Sequence, residues 1–561
     1  MLRSRNFARF LTIAVLLMAL TAVSMVHAQD KKVIVSGRNM GVGDISSLDP
    51  GLATGSDAIQ GIDELFLGLT MIDQTSLETA PGLAESWTIS DDGLVTTFKL
   101  MQKVPWVHYN ADTGAVEEVK DEAGNVRYVT AKDYVYGMTR TLDPATAGGY
   151  AYVLADWVKG GADFNGGKAK AEDLGLKAVD DYTLEITAPK KAVVSLSIYG
   201  LWMSRAQPQW AIEEYGDKWT EPENISTFGP FALKEWTHEQ SLTLIKNPFW
   251  VGTKNHPQPK VDEVVFKFLD APEQLKEFEA GTMDTIEVPA SELDRLKADA
   301  TLSKELVFGP RQCTYYYAFN VEKPPFDNVH IRRAFSMAID RQSIVDNILK
   351  GGQSPAGYFS YPGLLAAPHQ EDYPGTGIKS DPEGAKAELK LGLDELGMTV
   401  DQLPQISLLY NTNATHKAIA EAAQQMWADT LGINVQLTSQ DFAVYLQTTT
   451  DDPPQMWRAA WCSDYPDTHN FLSDVFRVKG GNNKTRWENP EFTKLVDEAV
   501  QNSDTKQRTD LYAQAEDILV NKDAAISPVY FYVNIQMTKP NIERFVSAIG
   551  TERFETWDIK G

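Results

Sequence analysis

A single run of near-membrane-spanning length opens this chain, from Phe10 to about Val26, and no later segment matches it. Arg3, Arg5 and Arg9 precede it, and Val26-His27-Ala28 follows with small residues where a signal peptidase reads. The pattern predicts an export segment cleaved after Ala28. Thr12, Thr21 and Ser24 dilute the run, which argues against a permanent anchor. No Cys lies near the cut, so lipid attachment is not expected, and the mature chain is expected to be soluble and periplasmic or otherwise extracytoplasmic.

Export sets the reading of the two cysteines, Cys313 and Cys462. In an oxidising compartment a sparse, even pair reads as one structural disulfide, with two buried free thiols as the other reading. Neither has a CxxC neighbour, and none of the eight His is paired at a metal-ligand spacing, so no metal or cofactor is expected. Roughly 530 residues follow the leader, enough for two or three domains. The net charge is −25, and removing three Arg with the leader makes it about −28. So acidic a chain is not expected to bind nucleic acid or anionic lipid.

Strand-like and helix-like stretches mix throughout, which predicts an α/β architecture. A helix is expected over Ile331–Leu349, with Asp327 or Asn328 as its cap. A second is expected from Lys417 to Leu431, stopped by Gly432 and followed by a strand through Ile433, Val435 and Leu437. A third, from about Lys506 to Val520, leads into the aromatic stretch Val529–Val533.

Catalytic signatures are weak. HExxH, GxSxG and CxxC are missing. Gly161 to Lys168 looks like a phosphate loop, but Ala162 stands where the first glycine should be, so it reads as a surface turn. Ser503-Asp-Thr-Lys506 fits SxxK formally, yet its polar setting reads as a helix start. No enzymatic activity is expected.

Several segments, in order, carry a resemblance. They are Leu83–Leu100, Val129–Tyr136, Ser226–Trp236, Asn247-Pro-Phe-Trp250, and Lys323–Phe335 running into Ala338-Ile-Asp-Arg341. Together they resemble the bacterial extracellular solute-binding protein family 5, which serves peptide and nickel importers. Cys313-Thr-Tyr-Tyr-Tyr317, Trp461-Cys-Ser-Asp464-Tyr465 and Val529–Asn534 look like its oligopeptide-binding subgroup, whose two cysteines at these positions are bonded.

The resemblance implies a periplasmic-binding-protein-like type II (cluster C) fold, a two-lobed clam with an additional domain. Lobe I would comprise 29–66, 207–312 and 534–561, the additional domain 67–206 and the opposing lobe 313–533. It also implies a monomer that binds short peptides in the cleft and delivers them to the permease subunits of an ABC importer. Asp464 would neutralise the ligand's α-ammonium, since an ammonium stripped of water needs a fixed opposite charge. Thr54, Gly55 and Ser56 on one side and Ala460, Trp461 and Cys462 on the other would pair with the peptide backbone. Trp461, Tyr150 and Tyr532 match aromatic cleft positions, and Arg458 a basic residue that meets a ligand carboxylate. Phe442 stands where a cleft Trp is expected and Thr449 where an Arg is expected, and Asp451-Asp-Pro-Pro454 also departs from the subgroup. Another solute such as an oligosaccharide is the alternative ligand, although a neutral sugar gives Asp464 nothing to pair with.

Overall fold

The computed structural model describes residues 31–38, 43–479 and 481–560. The expected export segment and its cleavage point lie outside the described residues. Among the described residues no helix is long and apolar enough to cross a membrane.

One large mixed sheet organises the molecule. Its labelled strands are β1 (Val33–Arg38), β2 (Phe231–Thr237), β3 (Ser241–Lys246), β4 (Glu263–Phe268), β5 (Thr285–Glu287), β6 (Leu306–Phe319), β7 (Ser407–Asn411), β8 (Gln436–Gln440), β9 (Met456–Cys462) and β10 (Ile526–Thr538). Their order is β2-β3-β4-β1-β5-β10-β6-β9-β7-β8. The first five come from one end of the molecule and the last three from the other. Only β6 and β10 run through both, paired antiparallel from Leu306↔Met537 to Ala318↔Ile526. Their register shifts between Pro310 and Thr314, where Pro310 and the bulge interrupt the ladder.

The aromatic and β-branched content of β6 and β10 suits strands covered on both faces. Tyr315, Tyr317 and Tyr530 belong to the core on one face, with Trp427 and Phe335. Tyr316, Phe359, Phe471 and Leu519 build the core on the other. The opposite end of the sheet shares a continuous core with a separate four-stranded antiparallel sheet, built from Ala84–Ile89, Val95–Leu100, Leu176–Asp180 and Thr183–Thr187. Ile34, Phe266, Phe98 and Ile186 all belong to that core.

Seven helices matter for the site: α1 (Ser56–Leu65), α2 (Ala151–Ala155), α3 (Val329–Met337), α4 (Ala414–Leu431), α5 (Phe442–Asp451), α6 (Thr468–Phe476) and α7 (Thr505–Asp517). The helix expected over 331–349 is two pieces. Asn328 caps α3 as anticipated, its side chain accepting from the Ile331 amide at 3.1 Å. The chain then breaks and restarts at Arg341 under an Asp340 cap. The cause is tertiary, because the Arg341 guanidinium turns inward to donate to the carbonyls of Pro528, Ser336 and Ile339. Gly432 ends α4 with φ +71°, a conformation costly for any side chain, as its position after the last apolar residue suggested. The following strand starts later than expected, at Gln436, and Ile433 and Val435 are buried in the connection. α7 passes into a wider turn at Ile518, and Asp504 caps its start, so Ser503–Lys506 is a helix beginning. Residues 161–165 form one short helical turn with Gly161 buried and Ala162 and Asp163 exposed.

Candidate functional site

β9 is paired along its whole length to β6, from Phe319↔Met456 to Cys313↔Cys462. On its other edge β7 pairs only at Leu408↔Met456 and Leu409↔Trp457. From Arg458 to Cys462 that second edge has no strand partner among the described residues. Unpaired strand edges offer main-chain donors and acceptors to any extended chain. Cys462 and Cys313 stand directly opposite, with Cα atoms 4.0 Å apart, and are bonded to each other. The cross-strand bond holds the far end of β9 against the central strand.

Asp464 follows β9 after one residue. Its amide donates to Asn470 Oδ1 at 3.0 Å, and its Oδ2 accepts from Asn470 Nδ2 at 3.0 Å. Among the described residues it has no ion-pair partner, and desolvation pushes its carboxyl up to about 7, with the Asn470 hydrogen bond working the other way. The indole of Trp461 donates to the same Asn470 Oδ1 at 3.0 Å. Its ring stacks on Tyr150, centroids 6.4 Å apart and planes 16° apart. Tyr150 is buried, lies just before α2 and packs edge-on against Trp202 at 4.8 Å. Burial and then the nearby Asp464 charge hold its hydroxyl well above the ordinary range.

The Thr54–Ser56 segment joins this side. Trp202 Nε1 donates to the Ala53 carbonyl at 2.9 Å, and a Cβ on Gly149 would lie 2.8 Å from Thr54 Cγ2, so glycine there permits the close approach. Thr54 and Ser56 are exposed and Gly55 sits in an extended conformation at the start of α1, φ −89°. Gly55 therefore needs no glycine-only backbone.

Arg458 marks the other end of the open edge. Its guanidinium donates to Asn411 Oδ1 at 3.1 Å and to Tyr532 Oη at 2.9 Å, and lies over the Tyr315 ring at 5.0 Å. Among the described residues no carboxylate pairs with it. Tyr445 donates its hydroxyl to the Arg458 carbonyl and stacks with Phe442, which opens α5 and is exposed. Thr449 is buried on the same helix, its hydroxyl spent on the Tyr445 carbonyl at 3.0 Å. Ala460 lies between the two ends, half-buried.

The expected residues thus fall into two groups on one open strand: Asp464, Trp461, Tyr150 and Thr54–Ser56 at one end, and Arg458, Tyr532 and Phe442 at the other. Sequence reasoning missed Asn470, Asp474, Tyr152 and His416. His416 opens α4 beside Tyr315, ring centroids 5.6 Å apart. Burial, then Arg458, holds it well below the usual imidazole range. Nothing in its sequence neighbourhood distinguishes it from an ordinary helix-start polar residue. Asn470 and Asp474 sit at i and i+4 on α6, a spacing that reads equally as a solvated face.

Comparison with known proteins follows the same lines. The model for the bacterial extracellular solute-binding proteins, family 5 (middle region), matches residues 78–483. The periplasmic oligopeptide-binding protein OppA of Salmonella typhimurium is 32% identical over 541 residues, covering 95% of this chain and 94% of that protein. The structure of the Escherichia coli murein tripeptide binding protein MppA superposes with a TM-score of 0.82 at 28% identity, covering 94% of this chain and 99% of that one. The unliganded open form of MppA matches with a TM-score of 0.65 at 27% identity, covering 94% of this chain and 98% of that one. The chain belongs to family 5 of the bacterial extracellular solute-binding proteins.

Proposed function

We propose that this family 5 protein captures short peptides outside the cytoplasmic membrane, in the cleft between its two ends, and delivers them to the permease of an ABC importer. The observation that carries the reading is the pairing of an open strand edge with two unneutralised charges of opposite sign. Asp464 stands at one end of Arg458–Cys462 and Arg458 at the other. A free peptide presents the complement: an ammonium, a row of amides and a carboxylate. Main-chain pairing on β9 and at Thr54–Ser56 supplies affinity without reading side chains.

The parts divide as the family likeness implies. Lobe I comprises 29–66, 207–312 and 534–561, the additional domain 67–206, and the opposing lobe 313–533, with β6 and β10 as the hinge strands. Ligand touching both lobes at once shifts the equilibrium toward closure by its extra affinity for that state. The oligosaccharide alternative leaves both charges unmatched. Mass spectrometry of ligand carried through gentle purification tests the reading. A ladder of short peptides is the expected result; sugar or lipid in their place contradicts it.

A further inference from the structure

Asn470 is wholly buried in α6, a helix with all nine residues buried. Its side chain makes four hydrogen bonds. Oδ1 accepts from Trp461 Nε1 and from the Asp464 amide, and Nδ2 donates to Asp464 Oδ2 and, at 3.1 Å, to Asp474 Oδ2. Both lone pairs and both N–H bonds are used, so the amide has one orientation and no slack. α6 is itself pinned: its cap, Asp467, takes two contacts from Arg508 Nη2 of α7 at 2.7 and 2.8 Å.

The same helix meets the opposite side of the cleft. The Tyr152 hydroxyl of α2 donates to the Asp474 carbonyl at 2.6 Å, and Arg477, just past the end of α6, pairs with Asp156, just past the end of α2. Tyr150, at the start of α2, stacks on the Trp461 that Asn470 holds. A closed circuit results, running Asn470, Trp461, Tyr150, Tyr152, Asp474 and back to Asn470.

On the reading that Asp464 receives a ligand ammonium, we infer that Asn470 is the positioning residue of that subsite. It orients the Asp464 carboxylate and the Trp461 indole together, so that amine capture and closure onto α2 share one geometry. Its Nδ2 also separates two carboxylates that would otherwise share little but each other's charge. The titratable groups around them include Tyr465 and His469, beside Asp474 at 2.7 Å and 3.5 Å, Tyr150 and Tyr152 at the start of and within α2, and Asp156 just past its end, which bears on Asp474; Arg477, Arg508 and Lys190 bear on His469. Burial pushes Asp474 up to about 8, and the Asp464 and Asp156 charges push in the same direction.

The test uses the full-length mature protein with trialanine and N-acetyl-trialanine as probes, titrated calorimetrically between pH 5.5 and 8.5. The parent is expected to prefer the free amine. N470A removes all four bonds and is expected to lose at least tenfold of that preference. N470D keeps the acceptor for Trp461 and the Asp464 amide but replaces both donors with a third carboxylate. It is expected to move the acid limb of the trialanine affinity profile to higher pH, and its matching shape keeps the test open should N470A fold poorly. Parent-like preference and parent-like pH limb in the folded variants overturn the inference. Failure of the underlying amine reading registers separately, as equal affinity of the parent for both probes.

Discussion

The Trp461 indole lies stacked on the Tyr150 phenol, centroids 6.4 Å and planes 16° apart, although the two residues are carried by different elements on facing sides of the molecule. Trp461 rides on the strand whose edge is open, and Tyr150 on the loop that leads into α2. On the proposed closure of the two sides, this contact would form only while they are together. The contact stands next to Asp464, whose charge bears on the Tyr150 hydroxyl.

Asp464→Asn removes the charge but keeps the shape. Losing one partner of a desolvated ion pair costs ~3–5 kcal/mol, and ~1.4 kcal/mol is tenfold in affinity. Trialanine affinity is expected to fall about a hundredfold or more by calorimetry. An unchanged dissociation constant contradicts the role.

Proton linkage follows from the carboxyl at about 7. Without ligand, Asp464 is largely protonated below pH 7, and it must release that proton to meet an ammonium. Affinity should therefore rise as pH increases through 7, then fall as the peptide's own amine, pKa ≈ 7.7–8.0, deprotonates. Calorimetry at pH 6.5 in two buffers of different ionisation enthalpy should show net proton release on peptide binding. No release, or uptake, contradicts the assignment.

Arg458→Met keeps the packing over Tyr315 while deleting the cation. It is expected to cost trialanine about tenfold or more and to leave trialanine amide nearly unaffected, because only the free acid uses the guanidinium. Equal losses for both ligands would mean that Arg458 supports β9 and does not meet the ligand.

The double variant Cys313→Ala, Cys462→Ala opens a closed loop of 149 residues. Chain-entropy arguments put the stability loss at ~2–5 kcal/mol. Guanidinium denaturation measures it as a lower midpoint, and an unchanged midpoint contradicts it.

Much of this was legible before any coordinates. The mixed sheet, the Asn328 cap, the Gly432 stop and the aromatic strand around Val529–Val533 are local in origin, set by periodicity, capping and backbone permissiveness. The break after α3 was not, because Arg341 turns inward to the Pro528 carbonyl of β10, 187 residues away. The two charged ends of the open edge came through family likeness. Asn470, Asp474 and Tyr152 did not, since their roles depend on α6 being buried on every side, and a short polar helix looks the same in sequence whether it faces water or a neighbouring domain. Thr449, singled out as a departure, proves to be a buried helix residue whose hydroxyl donates to the Tyr445 carbonyl one turn earlier.

A peptide-bound crystal structure tests the account's central claim most directly. The result expected is a peptide laid along Arg458–Cys462 with its α-ammonium within hydrogen-bond distance of an Asp464 carboxylate oxygen. A bound peptide whose amino terminus lies elsewhere, with Asp464 turned to solvent, would contradict it.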